Sequence, residues 1–433
     1  MVEWIPVLSG SPTPPRPRPL SPIEQGHLRQ ATADWLAKGV VEKTRQLPWV
    51  NNPVFVEKKN GTIRTCIDCR PVNAVTEDFD WPLPRLQDLR FRLGGAKWFA
   101  RMDLRDAFFR IKVPAEWRPH TAFRCDGTTY QFTRMPFGLK TAPAVFQRFM
   151  DHGLKSCWEF SFWYIDDVLV FADSLAELRR RVTIVRGRLR SMGCEVNEEK
   201  SEYDARGLLF AGLWIYSKGQ GPNHLKVEEV LSIPTPRTKK ERQSALGLVS
   251  YLRDHIPLAS LLTAVLSPRE GETTSEEELG HAWKRLTKHI ARTITTLGHW
   301  DENKPADLFT DASNAGAAAV LMQDGRIIAL ASRKLTPAET RYSATDREHL
   351  SLLLAAQKFK FFLHRQGANT RVANDHAAHV FRKTTEMTPR QTRWHTIIGQ
   401  WVPTITHVSG VNNPADFFSR WQVEISGGQI LVK

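Results

Sequence analysis

A chain of 433 residues is long enough for about three domains, each with a core of its own. Lys and Arg total 60 against 46 Asp and Glu, which gives a net charge of +14. A surplus of this size indicates a polyanionic partner, with nucleic acid as the first candidate. The start of the sequence lacks the basic and apolar pattern of a secretory leader, and GLLFAGLWIY is about half a membrane span, so secretion and membrane insertion are not predicted.

The five cysteines indicate a reducing compartment, because their number is odd and the C-terminal half of the chain has none. Cys66 and Cys69 form a CxxC pair, but no second pair follows at zinc-ligand spacing. In an extended segment, residues three apart also point to opposite faces. A metal site at this pair is therefore not predicted.

The N-terminal segment predicts an extended arm followed by a helix. SPTPPRPRPLSP, at residues 11–22, is rich in proline and has no periodicity. Helical spacing follows, and its apolar positions are Ile23, Leu28, Ala31, Trp35 and Leu36. Near residue 270 the acidic, polar stretch SPREGETTSEEELG indicates a surface loop and a nearby domain boundary.

The stretch FWYIDDVLVF sets Asp166 and Asp167 inside an aromatic and aliphatic run. The helix predicted after it has capping-box spacing between Ser174 and Glu177 and is stopped by Gly193. The run itself is therefore predicted to form two apolar strands, FSFWY and VLVF, that meet at a tight turn holding both acids. Neighbouring side chains of a strand point to opposite faces, so Asp166 is predicted to be the principal ligand and Asp167 to lie at the edge of the site.

A third carboxylate, Asp103, follows a short apolar strand in AKWFARMDLRDAFFRIKV. Three acids that converge on one place repel each other unless cations bind between them. Two Mg²⁺ ions about 3.5–4 Å apart would satisfy them and could promote nucleotidyl transfer, with Mn²⁺ as a substitute. The alternative is structural: Asp103 caps a turn and the paired aspartates form a solvated loop.

Four stretches in this order resemble the motifs of a retroelement reverse transcriptase, most of all those of gypsy-type long-terminal-repeat retrotransposons. They are VFVEKKNGTIRTCIDCRPVN, MDLRDAFF, RMPFGLKTAPAVFQ and YIDD. The resemblance implies a right-hand polymerase with fingers, palm and thumb. It also implies that Asp103, Asp166 and Asp167 form the catalytic triad, that LLFAGLWI is the primer-grip hairpin and that residues 233–257 belong to the thumb.

Further positions are predicted to bind the nucleotide. Arg64 and one of Lys58 and Lys59 flank the turn NGT, so this hairpin could place cations over a triphosphate. Arg64 is the firmer assignment, and the alternative for the two lysines is an ordinary solvated charge. The resemblance further implies the roles of three residues: Phe108 as the bulky residue beneath the sugar, Phe137 where retroviral enzymes carry a glutamine, and Lys200 as the proton donor to pyrophosphate. Phe108 could equally be a core aromatic, and Lys200 lies in the charged run EVNEEKSE.

The last third of the chain predicts a second acidic site in an α/β arrangement. A strand leads to Asp311, and two more strands are joined by Asp324-Gly325, a strong hairpin signal. Three other acids are predicted at the ends of elements or in a helix: Glu348 in a helix that Ser343 could cap, Asp375 after the strand TRVAND, and Asp416 in a helix begun by Asn413 and Pro414. Each acid alone could be a helix cap or a surface residue.

The series TDAS, E, DH and NPADFFSR resembles the ribonuclease H domain fused behind the polymerase of these retroelements. By that resemblance Asp311, Glu348, Asp375 and Asp416 hold two metals that hydrolyse the RNA strand of an RNA–DNA hybrid. His407 lies near the loop where retroviral domains carry a histidine, but its offset does not match, and Ser409 could occupy that place. We assign neither residue.

Together these observations predict an α/β (α+β) multidomain enzyme that copies retroelement RNA into DNA. The predicted parts are an arm at 1–22, fingers and palm at 23–215, thumb and connection at 216–300 and ribonuclease H at 301–433. The expected partners are an RNA–DNA hybrid, duplex DNA primer-template, deoxynucleoside triphosphates and an RNA primer, in cytoplasmic virus-like particles. A monomer, a homodimer and an asymmetric dimer are all compatible with the sequence. The competing hypothesis is a domesticated retroelement product that binds nucleic acid without catalysis.

Overall fold

In the computed structural model the chain divides into two units. The first contains Met1–Asp88 with Ala96–Ala211, and the second contains Leu89–Gly95 with Gly212–Lys433. The structure describes residues 3–45, 50–57, 61–266, 275–366, 370–374, 387–400, 405–407, 424–426 and 429–431. The four-part division predicted from the sequence is a finer one, and it stays a prediction.

The first unit is built on strands and helices that alternate along the chain. Its strands are β1 Val41–Lys43, β2 Pro53–Glu57, β3 Ile63–Ile67, β4 Trp98–Arg105, β5 Phe123–Cys125, β6 Thr128–Phe132, β7 Ser161–Tyr164, β8 Asp167–Ala172, β9 Glu195–Ala205 and β10 Gly207–Phe210. Its helices are α1 Pro22–Ala37, α2 Arg70–Val75, α4 Ala142–Gly153 and α5 Leu175–Ser191, and α3 Leu89–Arg92 belongs to the second unit.

A four-stranded sheet with the order β7-β8-β4-β9 carries the predicted acids of the first unit. Residues 168–172 of β8 are all buried, as expected for an unbroken run of apolar side chains covered on both faces. The two predicted strands around the aspartate pair are confirmed as β7 and β8, and Ile165 turns the chain between them at a φ of 56°. A β-branched residue rarely adopts positive φ, so the surrounding structure has to hold this turn in place.

The helix signals in the first unit are confirmed, with one correction. Ser174 accepts a hydrogen bond from the Glu177 backbone at the start of α5, and Gly193 follows its end at a φ of 73°. Helix α1 also forms, and its predicted apolar positions are confirmed in part: Leu28 is buried and Trp35 packs on the core, but Ile23 is 74% exposed. The buried positions are Leu28 and Thr32, and the Thr32 hydroxyl donates to the Leu28 carbonyl at 2.7 Å. The buried face of α1 therefore includes a threonine whose hydroxyl is hydrogen-bonded within the helix.

Apart from β10, the remaining strands of the first unit form two small sheets. Strands β2 and β3 are an antiparallel pair in which Arg64 lies opposite Val56, as the hairpin signal predicted. Strands β1, β6 and β5 form the other sheet in that order. The proline-rich arm contacts the domain through Asn52, whose side chain donates to the Arg16 carbonyl at 2.8 Å and accepts from the Arg18 N–H at 3.1 Å.

The second unit contains a helical region followed by a mixed sheet. Its first strands and helices are β11 Leu213–Tyr216, β12 Gly219–Pro222, α6 His224–Ser232, α7 Lys239–Leu252, α8 Ala259–Thr263 and α9 Glu276–Thr293. They are followed by β13 Ala306–Ala312, β14 Gly316–Gln323, β15 Arg326–Lys334, α10 Ala344–Lys358, α11 Lys360–Gln366, β16 Thr370–Asn374, α12 Pro389–Gly399, β17 Ile405–His407, β18 Glu424–Ser426 and β19 Gln429–Leu431. Helices α6, α7 and α9 share one apolar core, which includes Val249, Trp283 and Leu286.

The mixed sheet has the order β15-β14-β13-β16-β17, with β13 and β16 parallel. The predicted Asp324-Gly325 turn is confirmed, and both residues have positive φ, at 50° and 72°. Ser343 caps α10 as predicted, by accepting from the Asp346 N–H at 3.1 Å. Helix α10 packs on this sheet with Leu350, Leu352 and Ala356 buried.

A short segment from within the first half of the sequence, Leu89–Gly95, belongs to the second unit. Phe91 packs on Phe361 and Phe362, with ring centroids 4.1 and 4.3 Å apart. Arg90 is buried and donates to the Ile328 carbonyl at 2.7 Å. The segment is thus part of the packing around the mixed sheet.

Two expectations from composition concern the cysteines and the membrane. All five cysteines lie in the described part of the chain and are free thiols, and burial raises the pKa of Cys69 to about 12. Such a thiol is a poor metal ligand, since thiolates bind metals. Among the residues that the structure describes, no helix is both long and apolar enough to span a bilayer.

Candidate active sites

The three acids of the first unit meet at one end of the four-stranded sheet. Asp103 on β4 lies directly opposite Asp167 on β8. Opposed residues of an antiparallel pair share a face, with Cβ atoms about 4.5–5.5 Å apart. Asp166 occupies the turn, where its carbonyl accepts a hydrogen bond from the Leu104 N–H at 3.1 Å. The structure therefore brings together the three carboxylates that the sequence singled out.

The electrostatics of these acids reflect their crowding. Burial, followed by the charge of Asp166, raises the pKa of Asp167 to about 6, and Asp103 adds to the shift. Loss of solvent in the cleft also raises the pKa of Asp166, although part of its surface stays exposed, and Asp103 raises it further. Lys200 and Arg64 act in the opposite direction on Asp166. For both Asp166 and Asp167, the effect of burial outweighs that of the nearby cations.

This donor set fits divalent cations, because oxygen ligands that repel each other are relieved by a hard cation. Within the described ranges, no three acidic, histidine or cysteine side chains already stand in a metal-binding arrangement. Asp103 and Asp166 both line the adjacent cavity, which favours them as ligands, as predicted for Asp166.

A buried hydrogen-bond network supports the turn that carries Asp166. The side chain of Gln147, on α4, is fully buried and accepts from the Ile165 N–H at 2.9 Å. Gln147 in turn donates to Asp151 at 2.8 Å. The indole N–H groups of Trp163 and Trp81 also donate to Asp151, at 2.6 and 2.7 Å. This network holds the strained turn from below, and the sequence analysis did not identify it.

A cavity of about 580 Å³ lies beside the acids. Its lining includes three of the predicted nucleotide-binding residues, Arg64, Phe137 and Lys200. The Arg64 guanidinium lies 5.2 Å from the centre of the Phe137 ring, so the aromatic side chain supports the cation. The cavity is large enough for a ligand of nucleotide size. These predicted residues are therefore neighbours in space as well as members of one motif series.

The other predicted nucleotide-binding residues are placed differently. Phe108 is not part of the cavity lining and packs against Phe137 and Phe146, with ring centroids 5.2 and 5.7 Å apart. Lys58 and Lys59 lie outside the described residues. Lys200 is exposed and lies on β9, which pairs with β4. Its charged sequence had suggested an exposed surface segment and not a strand. Pairing with the apolar β4 overrides the composition of this edge strand.

Helix α1 contributes one wall of the cavity, which the sequence analysis did not anticipate. The lining residues from this region are His27, Gln30, Ala31, Asp34, Trp35 and Lys38. Polar residues at spacings of three and four form a stripe on a helix, so the stripe itself was visible in the sequence. The direction it faces depends on tertiary packing, which the sequence alone does not give.

The second acidic site lies on the mixed sheet. Asp311 on β13 and Glu348 on α10 are both buried, with 5% and 7% of their surfaces exposed. The Ala312 N–H donates to Glu348 Oε1 at 3.3 Å, which places this carboxylate beside the end of β13. The structure therefore brings these two predicted acids together. Asp375, Asp416 and Ser409 lie outside the described residues, as does the side chain of His407.

Comparison with known proteins identifies two domains, one around each group of acids. Residues 56–215 match the family model described as reverse transcriptase (RNA-dependent DNA polymerase), and residues 301–401 match the RNase H-like domain found in reverse transcriptase. The Pol polyproteins of the transposons 297 and gypsy from Drosophila melanogaster are each 30% identical to the chain. The chain therefore carries a reverse transcriptase domain followed by an RNase H-like domain, and it is similar over most of its length to the Pol polyproteins of gypsy-type transposons.

The matches to these polyproteins cover 96% and 89% of the chain but only 40% and 39% of the relatives. The Tf2-3 polyprotein of Schizosaccharomyces pombe is 29% identical over 94% of the chain and 31% of its own length. The chain thus spans about two fifths of the length of the curated Drosophila relatives, in the region that holds the two enzyme domains.

Solved structures confirm the predicted fold class. A foamy viral protease-reverse transcriptase in complex with double-stranded DNA has a TM-score of 0.78 at 23% identity, and the match covers 93% of this chain and 72% of that one. The foamy viral enzyme in complex with an RNA/DNA hybrid has a TM-score of 0.71 at 22% identity, over 94% and 56% of the two chains. The architecture is that of a polymerase domain followed by a ribonuclease H-like domain.

Proposed function

We propose that this chain is an RNA- and DNA-directed DNA polymerase that also hydrolyses the RNA strand of the hybrid it makes. One observation carries the proposal: Asp103 and Asp166 line a cavity of nucleotide size together with the cations Arg64 and Lys200. Acids that bind divalent ions beside cations that bind phosphate are what nucleotidyl transfer requires. The family relationship supports both activities.

In the polymerase site the acidic residues would bind metal ions and the basic residues bind phosphate. Two Mg²⁺ ions, when bound, would activate the primer 3′-hydroxyl and neutralise charge on the pyrophosphate that leaves. Asp103 and Asp166 would hold them, with Asp167 at the edge. Arg64 binds the triphosphate, together with Lys58 or Lys59 from the same hairpin. Lys200 donates a proton to the leaving pyrophosphate, a role that its exposed position beside the acids allows.

Phe108 is proposed to act beneath the sugar of the incoming nucleotide through its contact with Phe137 in the cavity wall. Phe137 lines the wall and offers no side-chain hydrogen bond to the nucleotide. Phe108 packs directly behind it, so the two rings form one rigid apolar block. Such a block disfavours a 2′-hydroxyl, because a polar group placed against it loses its hydration without gaining a partner. Selection of deoxynucleotides thus depends on both rings.

In the ribonuclease H site, Asp311 and Glu348 form one part of a four-acid set that Asp375 and Asp416 complete. Two divalent ions, when bound, would generate the attacking hydroxide from water and stabilise the leaving 3′-oxygen. The buried position of Asp311 and Glu348 fits this role, since buried carboxylates need a compensating charge.

The partners follow from charge and from the two chemistries. A net charge of +14 suits backbone contacts to an RNA–DNA hybrid and to duplex DNA, with little reading of sequence. The foamy viral neighbours, solved with duplex DNA and with a hybrid, support these partners. We further propose an RNA primer and action within cytoplasmic virus-like particles. Homodimer formation is tested by sedimentation with and without a hybrid.

Primer extension on poly(rA)/oligo(dT) with Mg²⁺ tests the polymerase. Asp166→Asn is expected to reduce incorporation by about a hundredfold or more, because it removes a metal ligand worth several kcal/mol in the transition state. Asp173→Asn, an exposed acid past the far end of β8, is the matched control and should keep wild-type activity. Equal incorporation by wild type and Asp166→Asn would reject the assignment. An inactive wild type that still binds the hybrid would favour the non-catalytic alternative.

Degradation of a labelled RNA–DNA hybrid tests the second site. Asp311→Asn is expected to abolish RNA cleavage and to leave primer extension intact. Asp307→Asn on the same strand is the control, since Asp307 is paired with Arg371 at 2.8 Å on the solvent side. Hybrid cleavage that survives Asp311→Asn would remove this site from the proposal.

A further inference from the structure

An ion pair crosses the rim of the polymerase cavity between two residues that have no role in the site described above. Lys38 Nζ lies 2.5 Å from Asp106 Oδ2, and both residues line the cavity. The side chains of Lys38 and Asp106 are 52% and 30% exposed, so both can be reached from solvent. They come from separate elements, the end of α1 and the segment after β4.

The backbone fixes Lys38 at this rim. Its N–H donates to the Asp34 carbonyl at 3.0 Å and closes the last turn of α1. Gly39 then adopts a φ of 65°, and the Val40 carbonyl accepts from the Thr133 N–H at 2.9 Å. The chain on both sides of Lys38 is therefore held, while its four-carbon side chain remains free to move its ammonium group.

The backbone also directs the Asp106 side chain toward Lys38. Asp106 has left-handed dihedrals, φ 49° and ψ 42°, at the N-cap of the turn Ala107–Arg110. An aspartate at that position usually accepts from a backbone N–H of the turn, but Asp106 makes no such bond. Its carboxylate contacts Lys38 instead. Asp106 thus presents a counter-charge at the rim of the cavity.

Charge in the cavity favours an exchange of partners. Its lining holds four aspartates, Asp34, Asp103, Asp106 and Asp166, and four cations, Lys38, Arg64, Arg105 and Lys200. In the proposed polymerase, Asp103 and Asp166 are committed to metal. A nucleoside triphosphate carries about four negative charges. Charge-assisted hydrogen bonds to its oxygens are more stabilising than a solvent-exposed ion pair. Lys38 can therefore leave Asp106 for phosphate.

We propose that Lys38 is a nucleotide-binding cation, which Asp106 holds at the cavity rim until the triphosphate of the incoming nucleotide takes its place. The inference rests on the proposed polymerase function and assigns to it one more residue. The ligand class is a nucleoside triphosphate. Because Asp106 competes with phosphate for the same ammonium group, the two residues have opposite effects on nucleotide affinity.

Steady-state primer extension with dTTP on poly(rA)/oligo(dT) tests this opposition. Lys38→Met is expected to raise KM for dTTP about tenfold with kcat within about twofold of wild type, since the lost contact acts on binding. Lys38→Arg keeps the positive charge, so its KM for dTTP should stay within about threefold of the wild-type value. Asp106→Asn removes the competitor, and it should lower KM about two- to threefold. Asn also tolerates the left-handed backbone at this position, so folding is expected to be retained.

Lys43→Met is the matched control, because Lys43 is an exposed lysine five residues along the same segment that does not line the cavity. Its KM should equal that of wild type. An unchanged KM in Lys38→Met would overturn the inference. A KM raised equally by Lys38→Met and Asp106→Asn would also overturn it, because it would show that the pair only ties two elements together.

Should Lys38→Met not fold, Asp106→Asn decides alone: a KM at or above the wild-type value rejects the exchange. The polymerase assignment is judged separately, by wild-type incorporation that Asp166→Asn abolishes. If the wild type is active and Lys38→Met has the same KM for dTTP, this inference is rejected and the polymerase assignment is retained.

Discussion

Asp167 shows how a single residue in the polymerase site links protonation to stability. Its pKa of about 6 lies above the ordinary value of 3.8. The folded state therefore binds more protons between about pH 4 and pH 6, and the free energy of unfolding falls as pH rises through that range. Without divalent ions, Asp167→Asn should raise the free energy of unfolding by about 2 kcal/mol at pH 7.5 and by well under 1 kcal/mol at pH 4. Urea unfolding in EDTA at both pH values measures this, and equal gains would contradict it.

Gln147 is the residue through which α4 supports the Asp166 turn. Gln147→Leu keeps the size of the side chain but leaves the Ile165 N–H without its acceptor. We expect a loss of about 1–3 kcal/mol in stability and a lower kcat with little change in KM, since the metal-binding turn moves. Thermal unfolding and primer extension measure the two effects. Gln25→Leu, on the exposed surface of α1, should change neither. A wild-type kcat in Gln147→Leu would show that the turn holds its position without this bond.

The residues of both sites differed in how far the sequence could identify them. Asp103 and Asp311 lie near the ends of apolar strands and Asp166 lies in the turn after one, so their approximate positions could be predicted. Gln147 lies in a helix and Lys38 directly follows one, and nothing in the local pattern distinguishes such a cavity-lining or supporting residue from a solvated one. Their roles depend on which strand or turn packs against the helix, and that is a property of tertiary structure.

At the scale of elements, the β14–β15 turn offers a test of backbone conformation. Gly325 has a φ of 72°, and the space that a Cβ would occupy there is open, so a substitution costs backbone energy and not a clash. Gly325→Ala should lower the stability of the second unit by about 1 kcal/mol. Gly247→Ala, inside α7 with equally open space, should raise it by about 0.5–1 kcal/mol. Chemical unfolding compares the two, and changes of the same sign would refute the conformational explanation.

Elements with strong local signals were predicted well, and elements set by pairing were not. The β7–β8 and β14–β15 hairpins and helices α5 and α10 carry turn or cap residues that act within a few positions. Strand β9 has the composition of a solvated loop and becomes a strand because β4 offers it a free edge. The exposure of Ile23 and Leu36 on α1 was not predicted for a similar reason, since burial along this helix depends on where the neighbouring sheet lies.

At the scale of the whole molecule, two histidines make the second unit sensitive to acid. Burial lowers the pKa of His255 to about 4, and that of His299 likewise. Each faces a backbone carbonyl, of Thr295 at 3.0 Å and of Tyr216 at 2.8 Å. Because the folded-state pKa values lie below the ordinary 6.5, the unfolded chain binds more protons as pH falls from about 6.5 to 4. Each histidine then costs about 2 kcal/mol of stability at pH 5.

Variants separate this effect from general acid unfolding. His255→Gln keeps a side-chain N–H for the Thr295 carbonyl and cannot be charged, so its free energy of unfolding should fall less than that of wild type between pH 7 and pH 5. His281→Gln, on the exposed surface of α9, should follow wild type. Urea unfolding at the two pH values gives the comparison. Parallel pH dependences in all three proteins would exclude His255 as the cause.

The division of the chain has a consequence for exchanging modules between related retroelements. Residues 89–95 lie in the sequence of the polymerase but pack with the second unit, where Phe91 meets Phe361 and Phe362. A chimera joined after Ala211 would combine this segment from one parent with packing partners from another. Such chimeric proteins should be insoluble unless residues 89–95 come from the same parent as the C-terminal part. A soluble chimera therefore needs the exchange of two separate segments.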